Sequence, residues 1–274
     1  MKLRAADVSF AYGHRAVLRE LDCAFPDGQI TAIVGANASG KSTLLRAMVR
    51  LVAPQSGAVL LDGAELTTLP TREIARRIGF LPQSPVAPEG LTVGDLVARG
   101  RYPHQRLGRP RSAHDRERIE WALTATATDE LRDRPLDQLS GGQLQRVWIA
   151  MVLAQDTEIL LLDEPTTYLD LAHQLEVLDL LAELNERDGR TVVLVLHDLN
   201  QACRYAHHLV AMRDGAIYAA GPPREIVDSE LVHAVLRLRA EIHDDPVSGA
   251  PLCIPLERDA RLTPLPASPA TSSS

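Results

Sequence analysis

Residues 35–43 read Gly-Ala-Asn-Ala-Ser-Gly-Lys-Ser-Thr, the pattern G-x-x-x-x-G-K-S of a phosphate-binding loop. The apolar run 30–34 before it reads as a short buried strand. After it, Leu44, Leu45, Met48, Leu51 and Val52 recur at the spacing of one helix face. Strand, loop and helix therefore stand in the order the motif requires. Gly35 and Gly40 let the backbone curl so that successive N–H groups converge on a phosphate. The helix starting near Lys41 adds its positive dipole end. Lys41 is placed to reach the β- and γ-phosphates, and the Ser42 hydroxyl to ligate Mg²⁺. Of 29 Lys+Arg only Lys2 and Lys41 are lysines. A compact ammonium fits between phosphates where a planar guanidinium does not.

The 274 residues suffice for one large domain or two small ones. Aromatics make up only 4%, so the core must be mainly Leu, Val, Ala and Ile. A net charge of −7 argues against a nucleic-acid partner, which needs a basic face. Cys23, Cys203 and Cys253 are far apart in sequence and odd in number, and read as reduced, packed thiols. The N-terminus shows no signal-peptide pattern, and no apolar run approaches the roughly 18 residues of a membrane span. A membrane role must then come through a partner.

Segments 3–10 and 16–25 read as strands around the turn Ala11-Tyr12-Gly13-His14. A further strand is expected at 57–62, a short helix at 71–77 and a short strand at 78–81, running into Pro82-Gln83. From about Ser84 prolines break the chain and helical spacing takes over, with helices expected at 92–100, 111–127 and 141–154. Strands return at 159–162, 191–196, 208–213 and 216–219, with helices at 171–186, 199–205 and two short ones within 222–237. Alternation of buried strands with helices implies a mostly parallel sheet covered on both sides. Residues 257–274 are rich in Pro, Ser, Thr and Ala and are expected to be disordered.

Two further clusters carry chemistry. Asp163-Glu164 follows four apolar residues, at the carboxyl end of a strand, where ligands sit in open α/β sheets. Asp163 suits an outer Mg²⁺ contact, and Glu164 suits polarising the water that attacks a γ-phosphate. Leu139-Ser140-Gly141-Gly142-Gln143 opens a helix whose apolar face is Leu144, Val147, Trp148, Met151 and Val152. Its N-terminus reads either as an ordinary Ser cap with flexible glycines or as a second anion site.

The order of these motifs resembles the ATP-binding subunits of ABC transporters, over residues 1 to about 256, with Leu-Ser-Gly-Gly-Gln as the family signature. The resemblance implies a P-loop NTPase core of α/β class, RecA-like with a mostly parallel sheet, an antiparallel β subdomain and an inserted α-helical signature subdomain. It divides the chain into a core of 1–83 and 155–256, a helical insertion of 84–154 and a tail of 257–274. It implies ATP and Mg²⁺ as ligands. Nucleotide contacts are implied at Gly35, Ala36, Asn37, Ala38, Ser39, Gly40, Lys41, Ser42 and Thr43, and adenine stacking at Tyr12. Gln83, Glu164 and His197 take the catalytic roles, Gln83 joining Ser42 and Asp163 at the metal. Ser140, Gly141, Gly142, Gln143 and Asp170 are implied to touch the ATP of a second copy, in a head-to-tail pair with two nucleotides at its interface. The family usually has Pro and Gly where Ala36 and Ala38 stand. Ala38 therefore tests whether that position needs a positive φ.

The stretches Gly100-Arg101-Tyr102-Pro103-His104-Gln105, 163–170, His197-Asp198-Leu199-Asn200-Gln201-Ala202 and 245–251 resemble the iron–siderophore import branch. That branch implies separate polytopic permease subunits, a substrate-binding protein and a place on the cytoplasmic face of the membrane. Haem and vitamin B12 import ATPases share part of the pattern, and a soluble ATPase of iron–sulfur cluster assembly is the rival class. A metal-binding enzyme using His207, His208 and His243-Asp244-Asp245 is a third alternative, although exposed polar residues explain these better. Residues 99–118 hold seven arginines against two acids. They read either as a solvated helix face or as a basic stripe docking on membrane subunits near anionic head groups.

Overall fold

The structure, a computed structural model, describes residues 1–86, 89–105 and 110–256. Arg106 and Arg109 of the basic stripe and the tail 257–274 lie outside the described residues. In chain order, β1 (Leu3–Tyr12) and β2 (Arg15–Ala24) form an antiparallel hairpin. β3 (Ile30–Gly35) runs into the loop and α1 (Lys41–Met48). Then come β4 (Ser56–Leu61), β5 (Ala64–Glu65), α2 (Thr71–Arg77) and β6 (Ile78–Leu81). Three helices follow, α3 (Val93–Arg99), α4 (Ala113–Ala125) and α5 (Gly141–Ala154). The chain returns to alternation in β7 (Ile159–Asp163), α6 (Leu171–Asp188), β8 (Thr191–Val195), α7 (Leu199–Tyr205), β9 (His208–Arg213) and β10 (Ala216–Gly221). It closes with α8 (Pro223–Ile226), α9 (Ser229–Leu236) and the hairpin β11 (Ala240–Asp244) and β12 (Pro251–Pro255).

The central sheet has the order β10-β9-β3-β8-β7-β6, parallel except for β10. A separate antiparallel sheet has the order β2-β1-β4-β5. Every residue of β3, β7 and β8 is buried, as expected for strands covered on both faces. Their alternation sorts side chains into two cores. Leu160, Leu162, Val192 and Leu194 pack toward α5 and α6. Ile159, Leu161, Val193 and Val195 pack toward α1 and the antiparallel sheet. Register then positions the chemistry. Asp163 pairs with Val195, and Val195 with Ile33. Gly35, Glu164 and His197 consequently all emerge just past one line, at the carboxyl edge of the sheet.

Three features depart from the sequence reading. α1 stops at Met48 because Arg50 takes φ 59°, and Leu51 is 64% exposed instead of continuing the apolar face. Arg50 is held there by Nη1 bonds to the carbonyls of Leu66 (2.8 Å) and Leu69 (2.6 Å). Second, β5 and the β11–β12 hairpin flank stretches read only as turns. Third, Arg101 belongs to no surface stripe. It is 2% exposed, its Nε bonds Asp115 Oδ1 at 2.9 Å, and its Nη1 bonds the Ala154 carbonyl at 2.9 Å. Arg118 is likewise drawn inward, 2.9 Å from Asp156 and 4.1 Å over the Trp121 ring. Among the described residues no helix is long and apolar enough to cross a membrane.

Candidate functional site

The loop is shaped by steric demands that few residues meet. A Cβ on Gly35 would sit 2.4 Å from the Met212 carbonyl oxygen, so only glycine lets β9 pass. Gly40 caps α1 at φ 104°, outside the comfortable range of L residues. Ala38 does adopt a positive angle, φ 63°, at a cost of about 1 kcal/mol. Lys41 is 6% exposed, and its Nζ donates to the carbonyls of Gly35 (2.8 Å) and Ala36 (3.1 Å). Burial lowers its pKa, and the nearby Glu164 and Asp163 partly oppose this. The Ser42 hydroxyl donates to Asp163 Oδ1 at 2.9 Å.

Across the cleft, Glu164 follows β7 with φ 55° and is 7% exposed. Both of its oxygens are engaged. Gln83 Nε2 donates to Oε2 at 2.7 Å, with the Thr167 hydroxyl at 3.3 Å. His197 Nε2 lies 2.8 Å from Oε1. Residues 81 and 33 positions away in sequence thus converge on one carboxylate. The cleft has a volume of about 960 Å³ and is lined by Tyr12, Asn37 to Thr43, Gln83, Glu164 and His197. Gly35 and Ala36 do not line it; their carbonyls accept from Lys41. Tyr12 is half exposed and stands edge-on to Phe10, ring centroids 4.8 Å apart. The turn Asp214-Gly215 is expected from the sequence as the link between two strands but not as part of this site; it lines the cleft, and its Gly215 N–H bonds the Ser39 carbonyl at 3.1 Å. Only its Asp-Gly dipeptide, the signature of a tight turn, could have pointed there.

A second concavity is lined by Ser140, Gly141, Gly142, Gln143, Tyr168, Leu169 and Asp170. It shares no lining residue with the first. Ser140 caps α5 and Gln143 caps it reciprocally, which satisfies two helix-end donors. The first turn of α5 carries no acid, which leaves its N-terminal end suited to an anion. Asp170 caps α6, and its Oδ1 is 2.7 Å from His173 Nδ1. Arg146 and His173 line this surface too and were not expected there. Nor was Gln145, buried on α5, whose Nε2 donates 2.9 Å to the Pro165 carbonyl next to Glu164. The apolar periodicity of α5 hid it.

Around Ser42 the available donors are a hydroxyl, the Asp163 carboxylate and the Gln83 amide. All can offer oxygen, as a hard divalent cation prefers. Asp163 is fully buried, and its Oδ2 has no hydrogen-bond partner. Burial raises its pKa, and the neighbouring Glu164 adds to the rise against the Ser42 bond. An uncompensated buried carboxylate is what a cation would satisfy, so the residues fit one. Among the described residues no group of three His, Cys, Asp or Glu could hold a metal, so a cation at Ser42 would draw on the hydroxyl and the amide as well as Asp163. His207 Nδ1 accepts from the Ile30 N–H at 3.1 Å, and His243 lies 3.1 Å from Glu241. Cys23, Cys203 and Cys253 are free and buried.

A glycine-rich loop at the carboxyl edge of a mainly parallel sheet, with an antiparallel sheet packed against its helix, defines a P-loop nucleoside triphosphatase. A family model described as ABC transporter matches residues 18–167. The chain belongs to the ABC transporter family. It is 52% identical to the petrobactin import ATP-binding protein FpuD of Bacillus anthracis, over 95% of each chain. It is also 52% identical to the ferric enterobactin transport ATP-binding protein FepC of Escherichia coli (strain K12), over 96% of this chain and 97% of that one. Among solved structures, the dimeric post-hydrolysis state of the ATP-binding cassette MJ0796 bound to ADP and Pi superposes with a TM-score of 0.71. That match is at 30% identity and covers 80% of this chain and 98% of the other. Tyr12, Asp170 and His197 fall outside the matched span, so their place in the site rests on geometry.

Proposed function

We propose that this chain is the ATP-hydrolysing subunit of an importer of iron–siderophore complexes, acting as a head-to-tail pair on the cytoplasmic face of the membrane beneath separate permease subunits. The observation that carries this reading is the division of labour between two concavities. One holds a phosphate loop, a buried lysine and a carboxylate base. The other holds a helix N-terminus with its signature residues, and neither a phosphate loop nor a buried lysine. Neither is complete alone, and a two-fold pair would place each against the other's partner. The names of relatives at 52% identity, FpuD and FepC, supply the siderophore class.

In this reading Lys41 and the loop amides hold the β- and γ-phosphates, and Tyr12 stacks on adenine. Ser42, Asp163 and Gln83 would hold Mg²⁺, which supplies charge neutralisation on the phosphates. Glu164 orients and deprotonates the attacking water once Gln83 and His197 exchange their bonds to it for bonds to the γ-phosphate side. Ser140 to Gln143 and Asp170 close over the partner's nucleotide. The core spans 1–83 and 155–256, and the helical segment 84–154 carries the signature. Cargo passes through the permease and never touches this chain.

The test is growth and transport together. Cells lacking this protein should fail to grow on ferric siderophore as sole iron source while growing on free ferrous iron, and the protein should co-purify with a polytopic membrane protein. Normal uptake of ferric siderophore without it would remove the substrate assignment. Co-purification with a soluble scaffold alone would remove the transport role.

A further inference from the structure

The stretch 197–202 was singled out by its sequence, yet only His197 enters the chemistry above. Its remaining polar residues are all committed. Asp198 Oδ1 accepts from the N–H groups of Asn200 (2.8 Å) and Gln201 (3.0 Å), which caps α7. The side chain of Gln201 reaches across to α6, where its Nε2 donates to Gln174 Oε1 at 2.9 Å. Gln174 in turn donates its own Nε2 to the Leu169 carbonyl at 3.0 Å. The polarity of this chain is fixed, because a carbonyl can only accept. Gln174 must present its amine to Leu169 and its oxygen to Gln201. Leu169 is the middle of the Tyr168–Asp170 turn. A Cβ on Gly142 would lie 3.3 Å from its Cδ2, so the turn abuts the signature helix directly.

We propose that Gln174 and Gln201 are positioning residues, a two-amide relay that couples the His197 segment of the nucleotide cleft to the Tyr168–Asp170 turn of the second concavity. The proposal rests on the paired-ATPase reading. His197 faces the γ-phosphate end of its own cleft, whereas the turn faces the other copy's nucleotide. A change in where His197 sits moves the first turn of α7, and Gln201 pulls on Gln174 and the Leu169 carbonyl. Occupancy of one site is thereby reported to the surface that completes the other. Three rigid element ends joined by directed hydrogen bonds are a physical link, not merely residues lying between two sites.

The test uses the full-length chain and its ATP hydrolysis as a function of ATP concentration. Gln174→Glu keeps the acceptor toward Gln201 but sets a carboxylate oxygen against the Leu169 carbonyl. Gln201→Ala removes the donor to Gln174, and Gln201→Lys keeps one. Both single breaks should lower kcat roughly 2- to 30-fold and bring the Hill coefficient toward one. ATP affinity of each isolated chain should stay within about two-fold, since neither residue lines the cleft. The double variant should be no worse than the more damaging single one, and Gln201→Lys should recover part of the loss. Wild-type kcat and Hill coefficient in both single variants, or losses that multiply in the double, would overturn the relay and leave the paired reading standing. A wild-type protein that hydrolyses ATP without cooperativity and without ATP-dependent pairing would instead remove the pairing, and the relay with it.

Discussion

The nucleotide cleft and the signature surface are both concave and both built around a helix N-terminus, yet they are finished to different degrees. In the cleft Lys41 and Glu164 are buried and already have partners: Lys41 on two carbonyls, Glu164 between Gln83 and His197. The signature surface holds half-exposed groups, with Asp170 and His173 paired only to each other. A preorganised, low-dielectric site can do chemistry. An open one can only recognise something brought to it. The difference is the one the proposed pairing requires: a finished half and a recognising half on one chain.

The strongest way to break this comparison is a mixing experiment. Lys41→Ala should abolish turnover through the cleft, and Gly141→Asp should abolish it through the signature surface. Position 141 has room, the nearest atom to its Cβ being 3.7 Å away, and an acid in a first helical turn is tolerated by the helix. Each variant alone should lose at least about 100-fold in phosphate release. An equal mixture should recover activity, because one of the two composite sites in a mixed pair is then intact. No recovery on mixing would mean that both halves act on the same nucleotide within one chain.

The buried pair Arg101–Asp115 anchors the helices that carry the signature surface. Asp115 has its pKa lowered to about 2, where the Ser112 and Arg101 hydrogen bonds outweigh the opposing effect of burial. A carboxylate with a depressed native pKa contributes stability above its unfolded value, and that contribution is lost as pH falls toward the native one. Asp115→Asn should therefore destabilise by about 3 kcal/mol at pH 7, measured by denaturant unfolding, with the gap to wild type closing between pH 4 and pH 2.

Asp163 has the opposite sign. Its raised pKa means the native state holds a proton the unfolded chain has lost, so its contribution falls as pH rises through the native value. Asp163→Asn should stabilise the nucleotide-free protein by about 1–3 kcal/mol at pH 7, and less near pH 4, while removing the response of ATP turnover to added divalent cation. Thermal unfolding at the two pH values and a cation titration check both parts.

The smallest effect is expected at position 38. Ala38→Gly relieves the left-handed backbone and should be worth at most about 1 kcal/mol, read as a small rise in melting temperature with unchanged turnover.

The phosphate loop and the acidic end of β7 were readable from the residues because those parts are local, whereas Tyr12, Gln83 and His197 were placed only by the family resemblance. The convergence of Gln83 and His197 on Glu164 became visible only in the structure, where strand order sets the ends of β6, β7 and β8 on one edge. What stayed hidden depends on distant partners. Arg101 looked like surface charge because Asp115, fourteen residues on, is what draws it inside. Gln145 sat among apolar neighbours on α5 and gave no polar signal of its own. The β11–β12 hairpin, bounded by Pro251 and Pro255 and carrying Glu241, His243 and Asp244, lacks the β-branched alternation that marks strands. It is secured instead by Asn200, whose side chain both donates to and accepts from the Cys253 backbone.

The two carbonyls that hold Lys41 also bear on how the cleft discriminates among anions. Inorganic phosphate must displace both bonds and offers one charge centre in return, so the exchange gains little. In the proposed binding mode a nucleoside triphosphate would displace the same bonds but replace them along a chain of phosphates and against the Tyr12 ring. In that mode the loop selects by the number of simultaneous contacts and not by charge alone.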